Sequence, residues 1–415
     1  MRRIFPAIII ISIGLSIYAQ DVAQWRGPNR NGVYSETGVL RKWPENSPKL
    51  LWHFDKLGDG YTSAAVTGRG VYATGLIGNK GFVFAFDMKG QLLWKKDYGA
   101  EWNQSNAGTR STPHIIDDRL YLMSGFGKVV CMNCSDGSIV WTVDLVKEYG
   151  ARNINWGITE NLLTDGDVLY CTPGGISASM VALDRNTGRL IWKSKGNGDK
   201  SAYCSPILIR FQGRKILVTI MEKHICGFDA TTGLLLWTFG YINLNSIHAN
   251  IPVFVNGMLF CTTHLGDGGV MLKLSDDGSS AREIWRSNLP DPDIGGVVYL
   301  NGRLFGTGYS NHKLSCLDWQ TGKELYSLRE LAPGNIIAND GLLYIYSQEG
   351  KVALVEPKAD CFNIISSFNV PLGSGPHFAH LVIVNKRLYV RHGASLMVYD
   401  IAASQNSHSA PVIVN

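Results

Sequence analysis

The chain has 415 residues, a formal charge of +5, 46 glycines, 10% aromatic residues and only 18% charged residues. This composition is typical of a globular protein rich in turns and excludes a disordered one. Lysines and arginines are scattered singly along the sequence, whereas a nucleic-acid-binding protein would cluster them. We therefore expect no nucleic-acid partner.

The N-terminus has the pattern of an export signal. Met1–Arg3 is basic, Ile4–Ile17 is apolar, and Tyr18–Asp21 contains the small residue Ala19. We predict a signal peptide over residues 1–19; the alternative is an uncleaved anchor, for which the apolar run is short. No cysteine follows the run to accept a lipid, and no later segment predicts a transmembrane helix. We expect a periplasmic or secreted protein.

One pattern recurs from Tyr61 to Ala402 in eight units of about 43 residues. Each unit has an apolar strand, a turn, a strand ending in Asp, a glycine turn and a strand with an aromatic residue. The clearest aromatic positions are Trp94, Trp141, Trp192, Trp237 and Trp285. The Asp-x-x-Thr-Gly segment predicts a tight turn, and the indole can pack between units. We interpret both as structural, rather than as a row of ligand-stacking sites.

The last unit lacks its aromatic strand. The segment 49–55, with Trp52, has the missing pattern at the other end of the chain. The spacing predicts an all-β fold: an eight-bladed β-propeller of four-stranded antiparallel blades over residues 49–403, closed by strand 49–55 pairing into the last blade. Residues 20–48 are then an N-terminal extension that packs on the propeller, and 404–415 form a C-terminal tail. We expect the propeller to be monomeric.

Eight cysteines in an exported chain can form a disulfide framework. Cys131 and Cys316, however, stand where other units have Ala85 and Ala182. We therefore expect the cysteines to be small buried residues of the core. The alternative is a redox or metal role for the CxxC pair of Cys131 and Cys134.

The repeat Ala-x-Asp-x-x-Thr-Gly-x-x-x-Trp resembles the PQQ-like (pyrroloquinoline-quinone-like) β-propeller family. That family includes the quinoprotein alcohol dehydrogenases and the propeller lipoprotein of the outer-membrane β-barrel assembly machinery. Segments 24–32, 156–160, 171–175 and 202–206 are similar to an exported bacterial subgroup. The resemblance implies the fold but not the quinone. Many quinoprotein dehydrogenases carry adjacent disulfide-bonded cysteines, and the sequence has no Cys-Cys dipeptide.

The innermost strands of a propeller line its central channel, and the loops entering them form one mouth. Polar and aromatic residues precede these strands, so we expect a polar ligand site at the channel mouth. The candidates are Arg110, Trp156, Glu160, Tyr203, His248, Asn250 and His377. Arg110 and Glu160 enter from successive blades and can form an ion pair. The alternative is that these groups bond one another and channel waters.

The sequence contains no catalytic constellation that we recognise, and His377 and His380 should face opposite sides of a strand, which disfavours a shared metal. We therefore expect a binding or assembly scaffold for a protein, small-molecule or glycan partner, with no cofactor and no metal. Two alternatives stay open. One is a dehydrogenase of alcohols or sugars that uses PQQ with Ca²⁺, and the other is a carbohydrate- or polymer-binding module.

Overall fold

The structure is a computed structural model that describes residues 22–152, 154–263, 268–331 and 333–403. The predicted signal peptide (1–19) and C-terminal tail (404–415) lie outside the described residues. Within the described part of the chain, no helix is long and apolar enough to cross a membrane.

The regular secondary structure of the described chain consists almost entirely of short strands. The N-terminal part contains β1 (Val22–Ala23), β2 (Val33–Tyr34) and β3 (Lys49–Phe54). Blade 1 contains β4 (Ala65–Val66), β5 (Val71–Ile77), β6 (Lys80–Phe86) and β7 (Leu92–Ala100); blade 2 contains β8 (His114–Ile116), β9 (Arg119–Met123), β10 (Lys128–Asn133) and β11 (Ile139–Asp144). A single short helix, α1 (Leu145–Tyr149), follows in this part of the described chain, with the Asp144 side chain as its N-cap.

The remaining blades follow in chain order. Blade 3 contains β12 (Leu163–Asp165), β13 (Val168–Cys171), β14 (Met180–Asp184) and β15 (Leu190–Ser194); blade 4 contains β16 (Ile207–Phe211), β17 (Arg214–Ile220), β18 (His224–Asp229) and β19 (Leu235–Gly240); blade 5 contains β20 (Val253–Val255), β21 (Met258–Thr262), β22 (Gly269–Leu274) and β23 (Ala281–Ser287). Blade 6 contains β24 (Val297–Leu300), β25 (Arg303–Thr307), β26 (Leu314–Asp318) and β27 (Glu324–Leu328); blade 7 contains β28 (Gly334–Asn339), β29 (Leu342–Ser347), β30 (Lys351–Pro357) and β31 (Phe362–Asn369); blade 8 contains β32 (Val382–Val384), β33 (Arg387–His392) and β34 (Ser395–Asp400).

The described strands form eight sheets, one for each blade, and strands consecutive in sequence pair antiparallel within them. Blades 2 and 7 have a fifth strand, because β1 pairs with β8 and β2 pairs with β28. The predicted all-β, eight-bladed propeller of four-stranded antiparallel blades is confirmed. We call the side where each blade connects to the next the loop face, and the opposite side, where innermost strands turn into the second strands, the hairpin face.

The outermost strand of blade 8 comes from the N-terminal part of the chain. Strand β3 pairs antiparallel with β34, with Lys49 opposite Asp400 and Phe54 opposite Leu396. The ring of Phe54 lies 4.9 Å from the ring of Phe86, which belongs to blade 1. Strand β3 therefore joins the first and last parts of the propeller sequence in one sheet that also contacts blade 1.

The repeated turn and the repeated tryptophan form one contact between neighbouring blades. In blade 3, Asp184 Oδ1 accepts hydrogen bonds from Thr187 N and Oγ1 at 2.8 and 2.9 Å, which fixes the turn. Gly188 follows with φ +73°, and a Cβ there would lie 2.9 Å from the ring of Trp141 in blade 2. The Trp141 indole N–H donates to the carbonyl of Arg185 at 3.0 Å. The turn therefore needs glycine both for its backbone conformation and for the close approach of the indole.

The other blade tryptophans make the same contact in part. The indole N–H groups of Trp94, Trp192 and Trp285 donate to the backbone carbonyls of Cys134, Ala230 and Trp319 in the following blades. The Trp52 ring lies against Gly90 of blade 1, whereas the Trp237 ring packs on Gly227 of its own blade. Most of these indoles therefore bridge two blades directly, whereas Trp237 packs on its own blade and within the hydrophobic cluster shared by blades 4 and 5.

The hydrophobic core is divided among the interfaces between blades. Seven of the eight cysteines are buried, only Cys361 is exposed, and all eight are free thiols, as we expected of core residues. Cys131 packs in the cluster between blades 2 and 3, while Cys134 packs in the cluster between blades 1 and 2. The two cysteines of the CxxC pair therefore pack in two different interfaces between blades.

Candidate functional site

Residues 22–34, which we call the channel segment, lie inside the central channel of the propeller. Ala23 of β1 lies opposite Ile115 of β8, the innermost strand of blade 2. Val33 of β2 runs parallel to β28 of blade 7, opposite Ala338. The segment enters beside the hairpin-face end of β8, turns near the loop face, and leaves along β28. We expected residues 20–48 to pack on the propeller, and this part of the extension is enclosed by it.

Arg26 is a fully buried cation at the turn of the channel segment. Its guanidinium donates to the carbonyls of Val297 at 2.7 Å and Gly295 at 3.2 Å, and lies 3.2 Å from His380 Nδ1. Burial lowers the pKa of Arg26 to about 10. Burial, and then Arg26, hold the pKa of His380 well below its usual value. The neutral His380 ring can therefore accept from Arg26 at Nδ1 and donate from Nε2 to the Ile294 carbonyl at 3.1 Å.

Arg30, the second arginine of the channel segment, holds blade 3. It is 4% exposed and donates to the carbonyls of Leu162 at 2.9 Å and Asn161 at 2.8 Å. Glu160 lies close to it, fully buried, and its Oε2 accepts from the Thr172 backbone N–H at 2.9 Å while Oε1 has no described partner. Burial raises the pKa of Glu160 to about 8, against the opposing effects of Thr172 and Arg30. The carboxyl group is therefore mostly protonated at neutral pH, and it lies inside the protein instead of at the mouth.

Arg110, by contrast, is half-exposed at the loop face. Its Nε donates to the Trp156 carbonyl at 2.9 Å, and its guanidinium carbon lies 5.6 Å from the centre of the Tyr61 ring. Burial lowers the pKa of Arg110, and Tyr61, followed by Glu101 and Tyr203, opposes this effect. The ion pair that the sequence allowed between Arg110 and Glu160 is not formed, because each residue has other partners.

Aromatic side chains extend from Arg110 in both directions. Tyr61 packs against Phe378 with ring centroids 5.6 Å apart, and Trp156 packs against Tyr203 at 6.1 Å. We call Phe378, Tyr61, Arg110, Trp156 and Tyr203 the mouth row. All are half-exposed except Tyr203, which is buried. The Tyr203 hydroxyl accepts a 3.0 Å hydrogen bond from the backbone N–H of Trp156. Tyr203 has φ +69°, a conformation that costs about 1–3 kcal/mol and is often retained at functional sites.

Two other predicted site residues support the blades. The side-chain amide of Asn250 donates to the Pro292 carbonyl at 2.8 Å, and its oxygen accepts from Gly296 N at 2.9 Å. These bonds connect the start of blade 5 to that of blade 6. His248 is fully buried and packs on the ring of Tyr241 at 5.3 Å. Both side chains are buried in the described structure.

Amides at or just before the start of other innermost strands have the same role as Asn250. Asn161 Nδ2 donates to Ser205 Oγ at 3.1 Å, and Asn335 Nδ2 donates to the Ala379 carbonyl at 3.1 Å. Blade 3 is thereby connected to blade 4, and blade 7 to blade 8. Polar residues upstream of innermost strands therefore often bond the next blade, which agrees with the alternative of mutual hydrogen bonding.

His377 and His380 have separate surroundings. The His377 ring stacks on His392 with centroids 3.6 Å apart, and its Nδ1 lies 2.5 Å from the Tyr346 hydroxyl. Burial, with His392 as the second cause, lowers the pKa of His377 to about 4. His380 instead bonds Arg26 inside the channel. The two histidines therefore do not converge on one metal ion.

The buried carboxyl and amide side chains near the channel do not fit a binding site for a quinone with Ca²⁺. Glu101 accepts at Oε2 from the Tyr98 hydroxyl at 2.6 Å and at Oε1 from the Trp102 N–H at 2.7 Å. Glu160 lies beside the buried cation Arg30, and both side-chain polar atoms of Asn250 are bonded. Within the described ranges, no group of three or more His, Cys, Asp or Glu residues could hold a metal ion.

Sequence reasoning missed the residues that fill the channel. Arg26 and Arg30 belong to a segment with the letters WRGPNRNG, which lies outside the repeat. Two arginines in a run of Gly, Pro and Asn indicate a turn but give no sign that it enters the channel. Tyr61 and Phe378 were missed because they lie in loops where the repeat pattern gives no register.

Comparison with known proteins agrees with this architecture. A family model described as outer membrane protein assembly factor BamB matches residues 79–238 and 177–285. The chain is 27% identical over 191 residues to the outer membrane protein assembly factor BamB of Kangiella koreensis. This alignment covers 44% of this chain and 44% of the Kangiella protein. The match therefore spans less than half the length of the Kangiella protein.

Two solved structures have a similar fold. The superposition on BamB from Moraxella catarrhalis covers 87% of this chain and 99% of the Moraxella chain, with a TM-score of 0.60 and 16% sequence identity. A quinohemoprotein alcohol dehydrogenase from Pseudomonas putida HK5 covers 92% of this chain and 80% of its own, with a TM-score of 0.63 and 12% identity. At these identities the likeness concerns the fold alone. The family model and the repeat show that the chain belongs to the PQQ-like β-propeller repeat family.

Proposed function

We propose that the protein is an exported scaffold that binds a protein partner at the mouth row and carries out no redox chemistry. The mouth row is the observation that carries this proposal. It combines an arginine with tyrosine, tryptophan and phenylalanine side chains, and Trp, Tyr and Arg dominate the binding energy of protein interfaces. The Tyr203 hydroxyl accepts the 3.0 Å hydrogen bond from the backbone N–H of Trp156. This bond holds part of the row in place before a partner arrives.

The filled channel supports a scaffold over a dehydrogenase. The channel segment reaches the loop-face ends of the innermost strands, where Arg26 and Arg30 bond the carbonyls of Val297 and Leu162. Two buried cations disfavour a further cation such as Ca²⁺ at this place. The similarity to the Kangiella protein, an outer membrane protein assembly factor, also favours a protein partner.

A carbohydrate is the second candidate ligand. Trp156, Tyr61 and Phe378 are half-exposed and offer flat apolar faces beside a cation and backbone polar groups. This combination of apolar surface with a few polar groups is typical of small-ligand sites as well.

The first experiment replaces Trp156 with the photo-crosslinking residue p-benzoylphenylalanine in cells that export the protein. We expect an adduct with one partner polypeptide after irradiation. The matched control carries the same residue at Leu93, which is 56% exposed near the hairpin-face end of the outermost strand of blade 1. Equal adducts from both positions, or none from Trp156, would contradict the protein-binding proposal.

The second experiment tests the two alternatives on the purified full chain. Equilibrium dialysis against PQQ with Ca²⁺ should show no stoichiometric uptake, and added alcohols should not reduce an electron-accepting dye. Uptake with dye reduction would overturn the scaffold proposal in favour of a dehydrogenase. Binding to a glycan array that disappears in Trp156→Ala would instead identify the site as carbohydrate-binding.

A further inference from the structure

We propose a second binding site at the hairpin face, where an extended acidic peptide adds as a strand to the free edge of β16. The site is a cavity between the channel segment and the innermost strands of blades 4 and 5. It lies away from the mouth row, so it goes beyond the function proposed above. The inference depends on the register of the innermost strands, on the way the channel segment itself is held, and on the charge of the channel.

The cavity is large enough for a peptide segment. Its volume is about 410 Å³, within the range of about 300–1,000 Å³ that ligand sites occupy. The lining consists of residues 29–31 of the channel segment, 207–210 of blade 4, 252–255 of blade 5, and Tyr299 of blade 6. Arg210 at its rim is exposed, so a segment of another chain can reach the cavity from solvent.

The register shows which backbone groups of β16 face this cavity. Gln212 and Gly213 both have positive φ, and they form a two-residue turn between the paired residues Phe211 and Arg214. In such a hairpin the pair next to the turn exchanges both hydrogen bonds, and the following pair exchanges none. The N–H and C=O of Arg210 therefore point away from β17, into the channel. By the same alternation those of Leu208 do so too.

The innermost strand of blade 5 has the same arrangement. Asn256 and Gly257 form its two-residue turn with positive φ, between the paired residues Val255 and Met258. The N–H and C=O of Phe254 therefore also face the cavity. Both strands along the cavity thus present backbone donors and acceptors at their channel edges.

The channel segment uses the corresponding edge positions of other blades. In blade 7, the N–H of Ala338 donates to the Gly32 carbonyl at 2.8 Å, and β2 runs alongside. In blade 2, β1 pairs with the edge of β8 at Ile115. In blade 3, the Leu162 carbonyl accepts from Arg30. The molecule therefore already recognises extended chain by adding it to innermost strands.

Blades 4 and 5 are different. No hydrogen bond from the described channel segment reaches the backbone of Leu208, Arg210 or Phe254. An extended peptide in the cavity would supply the missing bonds in the way that β1 and β2 do. Addition of a strand to a free sheet edge is a recurring mode of peptide recognition.

The charge around the cavity favours an acidic peptide. Arg30 lines the cavity, and Arg26 lies in the same segment; both bond carbonyls and His380 rather than ionised carboxylates. Glu160, the acidic residue nearest Arg30, is mostly protonated at neutral pH because burial raises its pKa to about 8. The positive charge of Arg30 is therefore not neutralised, and at low dielectric it attracts an Asp or Glu side chain.

The test compares two substitutions at one exposed residue. Arg210→Pro removes the edge N–H, while Arg210→Ala keeps it, and both remove the side chain that bonds Asp165 at 2.6 Å. Because this N–H faces the channel and not β17, proline should leave the sheet intact. The probe is a phage library of random seven-residue peptides selected on the purified full chain. We expect enriched peptides that are rich in β-forming residues and contain Asp or Glu, and that bind R210P at least tenfold more weakly than R210A.

Several results would overturn the proposal. These are no enrichment, enrichment of basic peptides, or equal affinity of the two variants for the selected peptides. If R210P fails to fold, amide exchange of the unmodified chain decides instead: the Arg210 and Phe254 amides should exchange at least tenfold more slowly with a selected peptide bound. Unchanged exchange would reject strand addition. Binding by the Trp156→Ala variant should be unaffected, which separates this site from the mouth row.

Discussion

Replacing Arg26 with methionine tests whether the channel segment holds the propeller together. Methionine keeps the unbranched apolar stem but has no donors, so it removes the guanidinium from its three shortest contacts, the carbonyls of Val297 and Gly295 and the Nδ1 atom of His380. A buried acceptor that loses its donor costs about 1 kcal/mol or more. Three such acceptors predict a loss of about 3 kcal/mol in the free energy of unfolding.

The expected change in melting temperature follows from the size of the domain. An unfolding entropy of about 2.1 cal/mol/K per residue, over about 380 residues, gives about 0.8 kcal/mol/K. A loss of about 3 kcal/mol then lowers the apparent Tm by about 4 °C. Differential scanning calorimetry measures this shift, and amide exchange at Ala338, whose N–H bonds Gly32, reports release of the segment.

The matched control is Arg41→Met. Arg41 also bonds a partner on blade 7, Asp340 at 2.5 Å, but both side chains are about half-exposed. An exposed ion pair contributes about 0–1 kcal/mol, so we expect a shift of about 1 °C or less. If Arg26→Met melted within 1 °C of the unmodified protein and Ala338 kept its protection, the anchoring role of Arg26 would be refuted.

Three further predictions concern other parts of the propeller. The raised pKa of Glu160 means that the folded state binds the carboxyl proton more tightly than the unfolded state, so stability falls as pH rises from about 4.5 to about 8. Glu160→Gln should remove this loss. The Tm of the variant, measured relative to the unmodified protein, should therefore increase across that pH range and then level off. Gly188→Ala should destabilise the protein by about 2 kcal/mol or more in urea unfolding, because a Cβ would meet the Trp141 ring, whereas Gly213→Ala, with a similar φ but open space around it, should cost only about 1 kcal/mol; equal losses would show that the indole contact contributes nothing. In the native protein only Cys361 should react quickly with a thiol reagent, since the other cysteines are buried, and a second fast-reacting thiol would contradict the packing described for them.

The fold could be predicted because the repeated residues are the ones that join the blades. The Asp184 turn, Gly188 and Trp141 meet in one contact between two blades, so the requirement for packing recurs with every unit. Strand β3 was predictable for the same reason, because Trp52 restores the pattern missing from blade 8. Periodic sequence therefore carries information about neighbouring units even when they are distant in the chain.

The site was less predictable, because the direction of a side chain upstream of an innermost strand is not periodic. Asn250 and Arg110 both precede such strands and both bond the segment that leads into the next blade, yet Asn250 is buried while Arg110 lies half-exposed at the loop face. Glu160 is turned inward to Thr172, which depends on the local course of its loop. The channel segment lies outside the repeat altogether, so no pattern places Arg26 between blades 6 and 8.

The position of the channel segment also constrains the order in which the protein can be assembled. Arg26 and β3 are made early, but their partners Val297 and β34 are made only after most of the blades. An N-terminal region that emerges first during synthesis must therefore wait, without its final contacts, until the end of the chain has emerged. Blades 1 to 6 can form their hairpins from local sequence in the meantime. The ring then closes around a segment that is already present, and no threading through a finished channel is needed.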